Sequence, residues 1–141
     1  MLKYMLDTNI VIYVMKRRPI EVLDIFNDRA GLMCISAITL SELMHGAEKS
    51  ERVSHNLSKV EDFASRIDVL EYGELAAGHY GDIRAALEKQ GQTIGVNDLH
   101  IAGHARSEGL TIVTNNEKEF LRVPGLRVEN WVEEAKVNNR K

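Results

Sequence analysis

The sequence predicts a single α/β domain built on a parallel sheet, and three observations carry that expectation. Short β-like runs alternate with longer segments of helical periodicity, the pattern of strands joined by helical crossovers. Two of the strand-like runs, Lys3–Leu6 and Leu110–Val113, end in polar clusters, Asp7-Thr8-Asn9 and Thr114-Asn115-Asn116. The 141 residues contain two prolines, Pro19 and Pro124, and no Gly/Ser-rich linker or internal repeat, so the chain suits one domain with one core.

Asp7, Thr8 and Asn9 are helix N-cap types, but Ile10-Val11-Ile12-Tyr13-Val14-Met15 is so rich in β-branched residues that propensity alone does not make it helical. Lys16-Arg17-Arg18-Pro19 breaks the chain before a helix over about 20–27. A strand at Met33–Ile35 runs into Ser36, the cap of a helix reaching about Lys49, with Leu40, Leu43, Met44 and Ala47 as its buried face. Val53, Leu57, Val60 and Ala64 mark the next helix, and Ile67–Leu70 a small strand. Ala76, Tyr80, Ile83 and Leu87 mark another helix. After the glycine-rich break from Gly91 to Gly95, a helix starts near Asn97-Asp98 and runs to about Ser107, where Gly109 stops it. Leu110–Val113 is the clearest buried strand, and a last one falls near Leu126–Glu129. The tail from Lys136 reads as frayed.

Eighteen Lys+Arg against 21 Asp+Glu leave a net charge of −3, with 44% hydrophobic and 28% charged residues. This excludes disordered, collagen-like and coiled-coil chains. It also argues against a passive nucleic-acid coat, which needs a basic excess. The single cysteine, Cys34, permits no intrachain disulfide or thiolate zinc cluster, and its apolar surroundings suggest a buried inert thiol. No apolar run is long enough for a membrane span, and the N-terminus meets Asp7 before a signal-peptide core could form. A cytoplasmic protein is expected.

In an open α/β sheet, ligands bind outside the carboxyl ends of the strands, so both polar clusters would face one edge. The competing reading is that each merely caps the next helix. Asp98 stands out because Ile101, Ala102 and Ala105 place it on the apolar face of its helix. A buried acid needs a cation or hydrogen-bond donors, or else protonates. The alternative is an N-terminal acid favoured by the helix dipole. Glu42 points away from the Leu40/Leu43/Met44/Ala47 face, and Thr39-Leu40-Ser41-Glu42 also matches a capping box. Three acids at element starts, if brought within ~4 Å, repel by about 4 kcal/mol per pair at an effective dielectric of 20. Divalent cations would neutralise such a cluster, and hard oxygen ligands select Mg²⁺ or Mn²⁺. Metal-assisted hydrolysis or phosphoryl transfer follows.

These residues fall in strings that resemble the PIN-domain nucleases. The matching segments are Met5-Leu6-Asp7-Thr8-Asn9; Ser41-Glu42-Leu43 with Gly46; Ile94-Gly95-Val96-Asn97-Asp98; Ile101-Ala102-Gly103-His104-Ala105; Val113-Thr114-Asn115-Asn116; Glu119-Phe120; and Asn130-Trp131. More narrowly, the set resembles the VapC toxins of type II toxin–antitoxin pairs, over roughly residues 2–132. The resemblance implies an α/β/α sandwich with a short, mainly parallel sheet: a PIN-like nuclease domain at 1–132, followed by a flexible tail at 133–141. It implies a Mg²⁺- or Mn²⁺-dependent endoribonuclease, usually a homodimer, held in a heteromeric complex by a cognate VapB antitoxin. Asp7, Glu42 and Asp98 match the metal-site acids. Asn116 stands where many PIN domains carry a fourth acid, so Asn116 and Glu119 are expected as supporting catalytic groups. Thr8, Asn9 and Thr114 are expected to donate to the ligand carboxylates. Structured RNA is the implied substrate, pointing to tRNA and the anticodon loop of the initiator tRNA, with 5′-phosphate and 3′-hydroxyl products.

Lys16, Arg17 and Arg18 form a solvated turn or, functionally, phosphate contacts that let an acidic protein hold RNA locally. Tyr13 and Met15 are alternatives for a dimer or antitoxin contact. His100 and His104 have the i, i+4 spacing of a zinc-protease helix, but Ile101 stands where the general-base Glu is needed. Polar-face histidines near the RNA are the preferred reading. Two rival functions remain: another Mg²⁺-dependent phosphoryl hydrolase using an early Asp nucleophile, and a catalytically silent PIN-like interaction module.

Overall fold

The computed structural model describes residues 1–17 and 20–139. Arg18, one of the three proposed phosphate contacts, lies outside them. Five parallel strands, β1 (Tyr4–Leu6), β2 (Met33–Ser36), β3 (Asp68–Leu70), β4 (Thr111–Val113) and β5 (Val128–Glu129), form one sheet in the order β3-β2-β1-β4-β5. Tyr4 pairs with Met33 on one side and with Thr111 on the other. The chain thus builds outward from β1 to β3, then returns to place β4 against the free side of β1. That reversal makes the β1–β4 boundary the topological switch point, where open α/β sheets hold their ligands.

The strands alternate between two buried faces. Leu6, Met33, Ile35 and Val113 join one apolar cluster, while Met5, Cys34 and Ile112 join the other. A strand covered on both faces shows continuous rather than alternating hydrophobicity, which is why these runs are legible in the sequence. The first face is covered by α1 (Thr8–Met15), α2 (Ile20–Asp28), α3 (Ala37–Glu48), α4 (Val53–Ser65) and α8 (Trp131–Asn139). The second is covered by α5 (Glu74–Lys89), α6 (Val96–Ser107) and the short α7 (Glu117–Phe120). The architecture is the expected α/β/α sandwich. Among the described residues, no helix is long and apolar enough to cross a membrane.

Helix α1 forms despite its β-branched sequence because Ile10, Val11 and Val14 are buried and Asp7 caps its first turn. In α3 the buried residues are Thr39, Leu43 and Ala47, whereas Met44 is 37% exposed, so the expected face is corrected by one residue. Ser36 caps α3, its Oγ accepting from the Ile38 amide at 3.0 Å. Glu42 therefore lies mid-helix, and the capping-box reading of Thr39–Glu42 is withdrawn.

Residues 133–139, expected as part of a flexible tail, belong to a helix, and residues 140 and 141 of that tail lie outside the described residues. Helix α8 continues to Asn139, Ala135 is 3% exposed, and Arg29 grips the Glu134 carboxylate through two hydrogen bonds of 2.8 and 2.9 Å. The Arg29 guanidinium also lies 4.9 Å from the Trp131 ring centroid. These partners come from 105 positions away, so nothing local in the tail announces them.

Candidate active site

Asp7 is the residue immediately after β1, and its amide donates to the Val113 carbonyl at 3.0 Å. The side chain is 2% exposed. Oδ1 accepts from the Ile10 amide at 2.9 Å, the capping role, and Oδ2 accepts from the Thr114 hydroxyl at 2.5 Å. The cap and the site are therefore the same carboxylate. Thr114 is fully buried beyond the end of β4, and its Oγ1 also accepts from the Asn116 amide at 2.8 Å.

Glu42 reaches toward the same edge from α3. Its Oε1 accepts from the Thr8 hydroxyl at 2.6 Å and its Oε2 from the Asn97 amide group at 3.1 Å. Asn97 is the second residue of α6, beside Asp98, and the sequence marked it only as a helix start. Its donor type and its place next to an acid were the available signal.

Burial is the main reason that Asp7 is pushed up to about 6; the bonds from Thr114 and Ile10 oppose the rise, and the Glu42 charge adds to it. Asp98 is pushed up to about 7 by burial, then by a hydrogen bond with Glu119, then by the charges of Glu119, Asp7 and Glu42. Glu119 is close enough to Asp98 to disfavour its charged form. The structure thus gathers Asp7, Glu42, Asp98 and Glu119 into one mutually repelling set. No Lys, Arg or His among the described residues forms an ion pair with any of the four.

No three of the described His, Cys, Asp or Glu side chains are already drawn together as a metal cage. The Thr8 and Thr114 hydroxyls instead engage Glu42 and Asp7. The donor set nevertheless fits a hard divalent cation: all oxygen, acidic, clustered and without a cationic partner. Asp7, Glu42 and Asp98, with Glu119 behind Asp98, are the groups able to hold it.

The remaining predicted residues are distributed differently. Asn116 bonds Thr114 through its backbone, and its side chain makes no hydrogen bond with the acids. Asn9 is exposed, and only its backbone amide turns toward Asp7. Lys16 and Arg17 are exposed and line an open groove with Met15 and Lys59. The polar-face reading of His104 is overturned: it is 1% exposed, with Nδ1 paired to the Ser36 hydroxyl at 2.8 Å. Helix α6 is buried from several sides, so its polar and apolar residues carry no one-sided pattern.

Beside the acids, helices α1 to α4 enclose two adjoining cavities. One, of about 580 Å³, is walled by Val14, Leu23, Phe26 and Phe63, with Arg17 and Arg66 at its rim. The other, of about 370 Å³, includes Ile12, Leu43, Val60, Lys16 and Glu42. Met15 and Lys59 belong to both, so the two adjoin as one largely apolar channel that reaches Glu42; Asp62, paired with Arg66 at 3.3 Å, also lines its first part.

The pattern of the PIN domain matches residues 4–126. The chain is 61% identical over 132 residues to Ribonuclease VapC2 of Haemophilus influenzae, covering 94% of this chain and all of that one. It is 57% identical over 131 residues to the tRNA(fMet)-specific endonuclease VapC of Shigella flexneri, covering 93% and 99% of the two chains. The DNA-bound VapBC structure from Salmonella typhimurium superposes with a TM-score of 0.90 at 52% identity, over 93% of this chain and 99% of that one. A switch-point acid cluster on this sheet, and similarity over nearly the full length, place the chain in the PIN-domain family, within its VapC toxin branch.

Proposed function

We propose that the chain is an endoribonuclease toxin that hydrolyses a phosphodiester bond in structured RNA with the help of Mg²⁺ or Mn²⁺. The observation that carries this reading is the set of four acids at the β1–β4 switch point, two of them raised toward neutrality and none paired with a cation among the described residues. A tRNA substrate, specifically the initiator, is supported by the naming of the Shigella and Salmonella relatives as tRNA(fMet)-specific endonucleases.

Asp7, Glu42 and Asp98 would hold the cation, which supplies positive charge for the phosphate oxygens and acidifies water for attack. The Thr114 hydroxyl and the Ile10 amide keep Asp7 in one orientation. Thr8 and Asn97 do the same for Glu42 from opposite sides. Glu119, within hydrogen-bond reach of Asp98, is placed to take the proton that the attacking water loses. Loss of the 3′ oxygen then leaves 5′-phosphate and 3′-hydroxyl ends.

The partner is a VapB-type antitoxin, as in the VapBC complexes of similar fold. The apolar channel with its Lys16, Arg17 and Lys59 rim suits a segment that carries apolar anchors between acids. A homodimer within that complex, in the cytoplasm where tRNA is found, completes the reading.

The test incubates antitoxin-free protein with tRNA in EDTA, Mg²⁺ or Mn²⁺. Discrete cleavage with either ion, lost in EDTA and in Asp7→Ala and Asp98→Asn, is expected. Intact RNA together with turnover of a small phosphate ester would favour another phosphoryl hydrolase. Intact RNA with no turnover would favour a silent interaction module.

A further inference from the structure

Tyr72, Tyr80, Arg84 and His100 form a cluster that the proposed chemistry does not use. His100 follows Asp98 by two residues on α6, so it lies about 3 Å further along the axis and on the opposite side of the helix. Its ring lies nearly face to face with Tyr80 of α5, with centroids 4.1 Å apart and planes 7° from parallel. Its Nδ1 pairs with the Tyr72 hydroxyl at 2.8 Å, and the Tyr72 ring meets it edge-on at 5.2 Å. Arg84 Nη1 donates to the Tyr80 hydroxyl at 2.6 Å.

Helices α5 and α6 pair antiparallel across the loop at 90–95, with Tyr80 against both His100 and Gly103. Arg84, one turn beyond Tyr80, therefore lies toward the end of α6 that carries Asp98. A packing staple would be buried. Here the three rings are each only partly buried, and the Arg84 side chain is 44% exposed, held to Glu88 by a long 3.4 Å contact. The result is an aromatic stack with a guanidinium held at its edge, on the side of α6 away from Asp98.

A protein of net charge −3 cannot hold RNA by bulk attraction and needs local contacts. Arginine presents a planar fork to phosphate, and aromatic faces accept any unstacked base. We propose that this cluster is an RNA subsite, in which Arg84 binds a backbone phosphate and the Tyr80–His100 stack supports a nucleobase of the bound RNA away from the cleaved bond. It rests on the endoribonuclease reading above. Because the polar atoms are already held by one another, binding requires little further ordering.

The experiment measures tRNA cleavage by Arg84→Gln and His100→Ala, and tRNA binding by Arg84→Gln in a cleavage-dead Asp98→Asn background. Each single variant should raise KM about five- to tenfold while kcat stays within twofold. Arg84→Gln should also reduce the slope of log Kd against log salt by about one. Tyr80→Phe, which keeps the ring and frees Arg84, should raise KM less than Arg84→Gln does. Unchanged KM and salt slope, with cleavage intact, would overturn the subsite and leave the nuclease reading standing. A lowered Tm alone, or a changed oligomeric mass with KM unchanged, would also overturn it, assigning the cluster to packing or to contact between copies. Failure of the unaltered protein to cleave tRNA with either ion would instead overturn the nuclease reading.

Discussion

Thr114 and Asp7 are joined by a 2.5 Å hydrogen bond across the boundary of β4 and β1, linking positions 107 residues apart. Each lies just past the end of its strand, so the sheet register brings hydroxyl and carboxylate together. Thr114→Val keeps the shape, removes the donor to Asp7 and strips the Asn116 amide of its acceptor. Leaving buried polar groups unpaired costs about 1–3 kcal/mol. A matching drop in Tm is expected, with at least tenfold slower cleavage. Loss of a donor raises the proton affinity of Asp7 further, so the acid limb of the pH–rate profile should move to higher pH.

The acid cluster makes the stability of the metal-free protein depend on pH. Asp7 titrates near 6 in the folded chain against 3.8 for the ordinary side chain, so the folded state binds the extra proton. Stability is then greatest below about pH 4 and is lost as pH rises through 6, by roughly 3 kcal/mol for this group. Asp98, near 7, extends the loss toward neutrality. Thermal melts in EDTA should show Tm falling from pH 5 to pH 8 relative to Asp98→Asn, with Mg²⁺ or Mn²⁺ restoring more at pH 8 than at pH 5. Parallel profiles for the two proteins would contradict this account.

Asn97 is exposed, yet it holds Glu42 at 3.1 Å. Asn97→Ala should leave Tm within about 1 kcal/mol equivalent, because a surface truncation removes little packing. Cleavage should slow about tenfold, and Mn²⁺ affinity measured by calorimetry should weaken. Retained affinity and rate would show that Thr8 alone suffices to orient Glu42.

The seam between α5 and α6 depends on a missing side chain. A Cβ at Gly103 would meet the Tyr80 amide nitrogen at 2.9 Å and the Ala76 carbonyl oxygen at 3.2 Å, both backbone atoms that cannot rotate away. Gly103→Ala should lower stability by about 1–3 kcal/mol. At Gly81 on α5 a Cβ meets nothing within 4 Å, so Gly81→Ala should be neutral or stabilising by up to about 1 kcal/mol. Denaturant unfolding of both variants checks the contrast.

Arg29 and Glu134 form a two-pronged, half-exposed pair that ties α8 to the end of α2. Glu134→Ala should cost about 1 kcal/mol, less at high salt. Truncation after residue 132 should cost more, since it also removes buried Ala135. Equal melts for the truncated and full chains would restore the domain boundary at 132.

Much of the framework was legible locally. Ser36 as a cap, Gly109 in a left-handed turn at φ +68°, and the polar ends of β1 and β4 are written in short stretches of chain, because caps, turns and strand hydrophobicity are satisfied by near neighbours. The acids at 7 and 98 were also legible, as carboxylates at element starts, whereas Glu42 lies mid-helix and was singled out by family resemblance. Their partners were less so. Thr8 and Thr114 were anticipated through family resemblance, whereas Asn97 as the second hold on Glu42 was not.

By itself, then, the sequence determined the order of the five strands and of helices α2 to α6, the parallel α/β class, and the acids to be watched. Only the tertiary structure decided that β4 returns beside β1, that Glu119 sits against Asp98, that His104 is buried on Ser36, and that the tail packs through Ala135 and Glu134. The physical reason is reach. Periodicity reports one solvent-facing boundary of one element, while α6 is enclosed on several sides and the acid site is assembled from segments about a hundred residues apart.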